Sequence, residues 1–152
     1  MEAGEHRLGD QVSGPGLQLI MTAISPSIMP FETLETDQVF PTTMLVSLFG
    51  EDENWLVRGE QVGGLLLRHL RLVGSMNTER AVRAVTEWLL ANHPGAEDVR
   101  VERADHHTAE TLLRLDYPPR FLQGILQRVA WGTRGGEVRS SEGDPYRFRI
   151  SY

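Results

Sequence analysis

The sequence predicts an α+β protein: an antiparallel sheet with two or three helices packed on one face, plus an irregular proline-broken N-terminal segment. Three observations carry that expectation. In the second half, apolar residues recur first at helical and then at alternating spacing, in the order helix, strand, strand, helix, strand, strand. Two apolar helix stripes are most simply buried together on one face of a sheet. In the first half, Pro26, Pro30 and Pro41 interrupt an apolar stretch and disfavour continuous regular structure.

Taken in order, residues 1–16 hold four glycines, a proline and several charges, and read as a flexible lead-in. Residues 17–24 form an apolar run compatible with a strand, and residues 25–41 are expected to be irregular. Residues 42–49 are β-branched and apolar enough for a second strand, followed by the acidic turn Glu51-Asp52-Glu53. From Glu60 to Val73, Val62, Leu65, Leu66, Leu70 and Val73 follow helical spacing, with Arg68 and Arg71 on the other face. Gly63-Gly64 weakens that helix, since an interior glycine costs about 1 kcal/mol relative to alanine. Residues 17–75 therefore read as an N-terminal segment of two strands and a helix that serves oligomerisation.

Residues 76–152 read as a compact α+β domain. Asn77 caps its first helix, Glu79 complements the dipole, and Ala81, Val85, Trp88 and Leu89 share a face. Asn92, His93 and Pro94 end that helix. Val99 and Val101 alternate with Arg100 and Glu102, and Thr111, Leu113 and Leu115 with Leu112 and Arg114, which predicts two strands joined by a turn at residues 105–108. Pro118 and Pro119 open a second helix with the stripe Phe121, Leu122, Ile125, Leu126 and Val129, and Gly135-Gly136 stops it. Residues 137–140 and 146–152 read as a closing hairpin. Tyr146, Phe148, Ile150 and Tyr152 share one face of it, and Arg147, Arg149 and Ser151 the other.

Composition narrows the chemistry. The 152 residues include no cysteine, which excludes disulfides, thiolate metal sites and a cysteine nucleophile. All 15 basic residues are arginine, so no Schiff-base lysine or Walker lysine exists. The net charge of −6 is uneven: residues 1–75 carry four arginines against ten acids, and residues 117–152 six arginines against three. An acidic whole disfavours nonspecific nucleic-acid binding. No apolar run approaches the ~20 residues that span a bilayer, and no basic and apolar leader opens the chain. A cytoplasmic location without membrane contact is expected.

Several clusters of residues have types suited to chemistry. Asp105, His106 and His107 could ligate a divalent metal. Over three residues they resemble the motif that names the Asp-His-His phosphoesterases, whose further aspartates have no match here. A polar hairpin turn accounts for the same residues, and no cofactor is expected. Neither a Gly-x-Ser-x-Gly elbow nor a Gly-x-Gly-x-x-Gly loop is present. Arg120, Arg128, Arg139, Arg147 and Arg149 are candidates for nucleic-acid or anion contact if the C-terminal helix and hairpin act like a winged helix. Trp55, Trp88 and Trp131 read as core or interface aromatics. Residues 17–49 hold apolar side chains, among them Ile28, Met29, Phe31 and Phe40, that must pack on their own domain or on a second chain.

These readings rank three functions. The first is a non-enzymatic protein-interaction or assembly module whose partner is itself. The alternative is a DNA-binding regulator, and the weakest is a small metal-dependent hydrolase.

Overall fold

The computed structural model describes residues 11–24, 38–49, 54–72 and 77–152. Eleven elements follow one another: β1 (Gln11–Ser13), α1 (Gly14–Ile24), β2 (Val39–Pro41), α2 (Thr42–Phe49), α3 (Trp55–His69), α4 (Thr78–Ala91), β3 (Val99–Ala104), β4 (Thr108–Leu113), α5 (Pro119–Gly132), β5 (Val138–Ser141) and β6 (Asp144–Ser151). The α+β class is as the sequence predicts, with β1 and β2 forming a small separate ladder and the other four strands a sheet ordered β3-β4-β6-β5. All pairings are antiparallel.

The first half differs from its sequence reading in four elements. Residues 17–24 are not a strand but most of α1, with Leu17, Ile20, Met21 and Ile24 buried at i, i+3, i+4 and i+7. An apolar run this short fits both periods, so packing decides. Start signals were present: Ser13 Oγ accepts from Gly16 N at 3.1 Å, and Pro15 stands in the first turn. Ser13 also donates to Asn92 Oδ1 at 2.6 Å, which ties the start of α1 to the end of α4. Residues 42–49 are likewise α2 rather than a strand. Thr42 and Leu45 are buried one turn apart while Met44 stays exposed, and this one-sided burial outweighs a β-branched composition. The supposed lead-in contributes β1, whose Val12 is fully buried. Residues 39–41, expected to be irregular, pair with it as β2.

The second half follows its periodicity closely. Asn77 adopts an extended backbone and its side chain accepts from Arg80 N at 2.9 Å, capping α4 as predicted. Pro119 opens α5. Ala109, Thr111 and Leu113 of β4 share the helix-facing side with Phe148 and Ile150 of β6. A bulge between Val101 and Arg103 lets β3 send Glu102 and Arg103 outward in succession, where both meet charged partners. One apolar cluster runs from Val12 and Leu17 through Leu66, Val85 and Ile125 to Phe148 and Ile150, so both halves share a core.

Both sheet edges are blunted. The bulge interrupts the β3 edge. At the β5 edge, Val138 N donates to Gln127 Oε1 (3.0 Å) and Val138 O accepts from Gln123 Nε2 (3.1 Å), so α5 itself occupies backbone groups another strand would need.

The tightest packing joins α3 to α5. A Cβ on Gly59 would lie 2.0 Å from Phe121 O, one on Gly124 2.2 Å from Leu56 O, and one on Gly63 2.6 Å from Ile125 O. The helices run in parallel, with 59 beside 124, 63 beside 128 and 67 beside 132. Glycines that weaken α3 by propensity are thus what lets the two backbones touch.

Candidate functional site

The residues singled out from sequence fall in four separate places. Asp105 closes the β3–β4 turn: its carboxylate accepts from His107 N and Thr108 N at 2.8 Å and from Thr108 Oγ1 at 3.2 Å. Those backbone bonds hold its carboxyl below the usual range. His106 and His107 are exposed beside it. Among the described residues, no group of three or more His, Asp or Glu side chains is placed to hold a metal.

Arg139, Arg147 and Arg149 stand on the outer sheet face, away from the helices. There Arg147 binds Glu102 (2.7 Å) and Asp144 (3.0 Å), Arg114 binds Asp144 (2.6 Å), and Arg100 binds Asp98 (2.8 Å). Hydrogen bonding to Arg147 holds Glu102 below its usual range, and the same bond raises Arg147. Leu112 lies between Arg100 and Arg147 in register and is 2% exposed, although it faces away from the core. The arginine stems cover it while their heads pair with acids. Arg139 pairs with Glu137 at 2.9 Å, and Arg149 stands between Glu110 and Arg139 in register. Sequence reasoning singled out Arg147 but not Glu102 and Asp144, which offset its charge.

Arg120 and Arg128 belong to α5, on the opposite side of the sheet, so the five arginines do not share one surface. Phe40 of β2 is partly buried against the core. Ile28, Met29 and Phe31 lie outside the described residues.

The most perturbed titratable groups are sealed inside. His93 is fully buried, its Nδ1 donating to Leu89 O at 2.6 Å and its Nε2 accepting from the Tyr117 hydroxyl at 2.8 Å. Burial drives its imidazole down to about 4 and pushes the Tyr117 hydroxyl up. His93 is therefore a neutral core residue, not the dipole-stabilised cation its place at a helix end suggests. Tyr117 continues into Phe121 and Trp55 through ring contacts of 5.1 and 5.6 Å.

One outward surface combines a concavity, exposed apolar groups and unpaired charge. Along the solvent side of α3 and α5 runs an open groove of about 470 Å³, lined by Val57, Glu60, Gly64, Arg68, Arg128 and Gly132 among others. Val57 is 50% exposed, and Trp131 of α5, far from being a core residue, is 58% exposed. By helical spacing Trp131 stands on the same side of α5 as Arg120 and Arg128. Among the described residues, no ion pair engages Arg68, Arg120, Arg128 or Arg134, whereas Arg100, Arg114, Arg139 and Arg147 on the sheet side are all paired.

Both helices also end alike. Leu72 N donates to Leu67 O and Gly135 N to Ala130 O, the six-to-one bond of a Schellman turn. The residue in the left-handed position is an arginine each time, Arg71 (φ 58°) and Arg134 (φ 69°). Glycine is the favoured residue there. Because the helices are parallel, these arginines mark the same end of the pair. Sequence reading missed Val57, Gly64 and Trp131 as a surface, since helical spacing alone does not say which polar-side residues of two helices become neighbours.

No family model, curated protein or solved structure matches the chain. Fold and surface together define a class by themselves: an α+β domain whose sheet face is charge-neutralised and whose helix face is open and basic. Among the described residues, no helix is long and apolar enough to cross a membrane.

Proposed function

We propose that the chain is a non-enzymatic protein-interaction module that docks its partner on the outward face of α3 and α5. The observation that carries the reading is the groove itself, with exposed Val57, Arg68 and Arg128 and half-buried Glu60 in its lining, and Trp131 exposed on the same side of α5 as Arg128. Exposed apolar groups rimmed by charge are the usual composition of a docking surface. Further support comes from the interior, where His93 and Tyr117 are bonded to each other and closed off from solvent. Blunted edges at β3 and β5 direct association to the helix face.

The test is a photo-crosslinking amino acid placed at exposed Gln61 in the groove, with Arg139 on the sheet face as control, in cells of the protein's source. Adducts to one protein, a second copy included, are expected from position 61 and not from 139. Absence of any adduct at 61, or the same set of adducts at both positions, removes the proposal.

A further inference from the structure

The charge of the helix pair says what kind of partner the groove takes. Residues 54–72 and 119–134 together hold six arginines and one glutamate, in a chain whose net charge is −6. Three of those arginines, Arg68, Arg71 and Arg134, lie at the C-terminal ends of the two parallel helices, and Arg128 lies a turn before the end of α5. A cation in a last turn is favoured by the helix dipole, which accounts for Arg68 on structural grounds. It does not account for arginine at the two left-handed positions, where an L side chain is disfavoured by about 1–2 kcal/mol. Backbone strain of this kind is kept twice, at the same end of the two parallel helices.

Gly64 is the second observation. Gly59, Gly63 and Gly124 each meet backbone atoms closer than 3.0 Å from an added Cβ, so packing requires them. At Gly64 the nearest atom is Arg128 Nε at 3.6 Å, an ordinary contact. Packing leaves room for a side chain there, and helix propensity favours one. Its absence keeps the floor of the groove bare between Val57 and Arg68.

Resting on the interaction reading above, we infer that the groove binds an acidic amphipathic helix of a partner protein. The helix seats an apolar side chain over Gly64 and sets carboxylates against Arg68 and Arg128. A helix laid in a groove presents side chains every three or four residues along one face, and Val57, Gly64 and Arg68, seven and then four residues apart, share the groove-lining face of α3. A second copy docked through the same face about a two-fold axis would set arginines against arginines. Duplex nucleic acid would find the charge, but its phosphates have no use for the bare apolar floor.

The experiment uses the full chain and two stapled helical peptides of about 15 residues, with leucines at i, i+3 and i+7. One carries flanking glutamates and the other lysines at the same positions. Fluorescence anisotropy is expected to show saturable binding of the glutamate peptide that weakens with salt, and binding of the lysine peptide at least about tenfold weaker. Replacing both Arg68→Glu and Arg128→Glu is expected to lower affinity for the glutamate peptide at least about tenfold. Gly64→Leu is expected to abolish binding while the melting temperature stays at or above that of the parent chain.

Equal binding of both peptides, no binding of the glutamate peptide, or binding that survives the arginine reversal overturns the inference. So does a duplex DNA oligonucleotide that binds with the same arginine dependence, or a dimer in light scattering that Gly64→Leu dissolves. In each of these cases the crosslink at Gln61 decides the broader interaction reading independently.

Discussion

His93 shows how one residue's surroundings decide its charge. At a helix C-terminus the dipole favours the imidazolium, but the ring is fully buried, with one nitrogen bonded to a carbonyl and the other to the Tyr117 hydroxyl. Desolvation outweighs both and lowers its pKa from 6.5 to about 4. Between those values the unfolded chain holds a proton that the folded chain does not, so stability falls as pH falls through this window. One unit corresponds to about 1.4 kcal/mol, so roughly 2 kcal/mol should be lost between pH 7 and pH 5. Glu102 and Asp105, both held below their usual 4.5 and 3.8, add a loss of the same sign only in more acid solution. Urea unfolding at pH 7, 6 and 5 measures the slope. His93→Gln should be less stable at pH 7 yet nearly flat over this range, and an unchanged slope in that variant would falsify the assignment.

At the scale of elements, the α3–α5 pair separates two roles of glycine that look identical in sequence. Gly59, Gly63 and Gly124 are sites of backbone contact, where a methyl group would lie within 2.0 to 2.6 Å of a carbonyl oxygen. Gly59→Ala must push the helices apart and should destabilise by about 3 kcal/mol or more, since overpacking against backbone has no rotamer by which to relax. Gly64→Ala meets no such obstacle and should stabilise by about 0.5–1 kcal/mol through backbone entropy and propensity. Chemical denaturation of the two variants reads this difference of sign. If both destabilise alike, the pair is not as closely packed as described, and Gly64 loses its standing as a site left bare.

For the whole molecule, the N-terminal segment belongs to the core. Val12, Leu17, Leu19, Ile20, Met21 and Ile24 are buried in the same cluster as Leu66, Val85 and Phe148. Burying each such side chain contributes about 1.5–3 kcal/mol, so the six together represent on the order of 10 kcal/mol. That matches the entire stability of an ordinary domain, about 5–15 kcal/mol. Deleting residues 1–24 should therefore abolish cooperative thermal unfolding rather than release a folded monomer. A sharp transition near the parent's temperature in the truncated chain would refute the shared core.

The amino-acid sequence by itself determined the α+β class, the Asn77 cap, the proline start of α5, the β3–β4 hairpin and the in-and-out alternation of β6. Each rests on local periodicity or capping chemistry that distant residues do not alter. It could not separate helix from strand over residues 17–24 and 42–49, because short apolar runs satisfy both periods until something packs on one side. The candidate surface was legible only in fragments, as a glycine pair, scattered arginines and a tryptophan. Which arginines are paired with Asp98, Glu102 and Asp144 and which stand free beside Gly64 and Trp131 depends on residues far apart in the chain becoming neighbours. Register across the sheet and the parallel contact of α3 with α5 decide that, and both are properties of the tertiary structure.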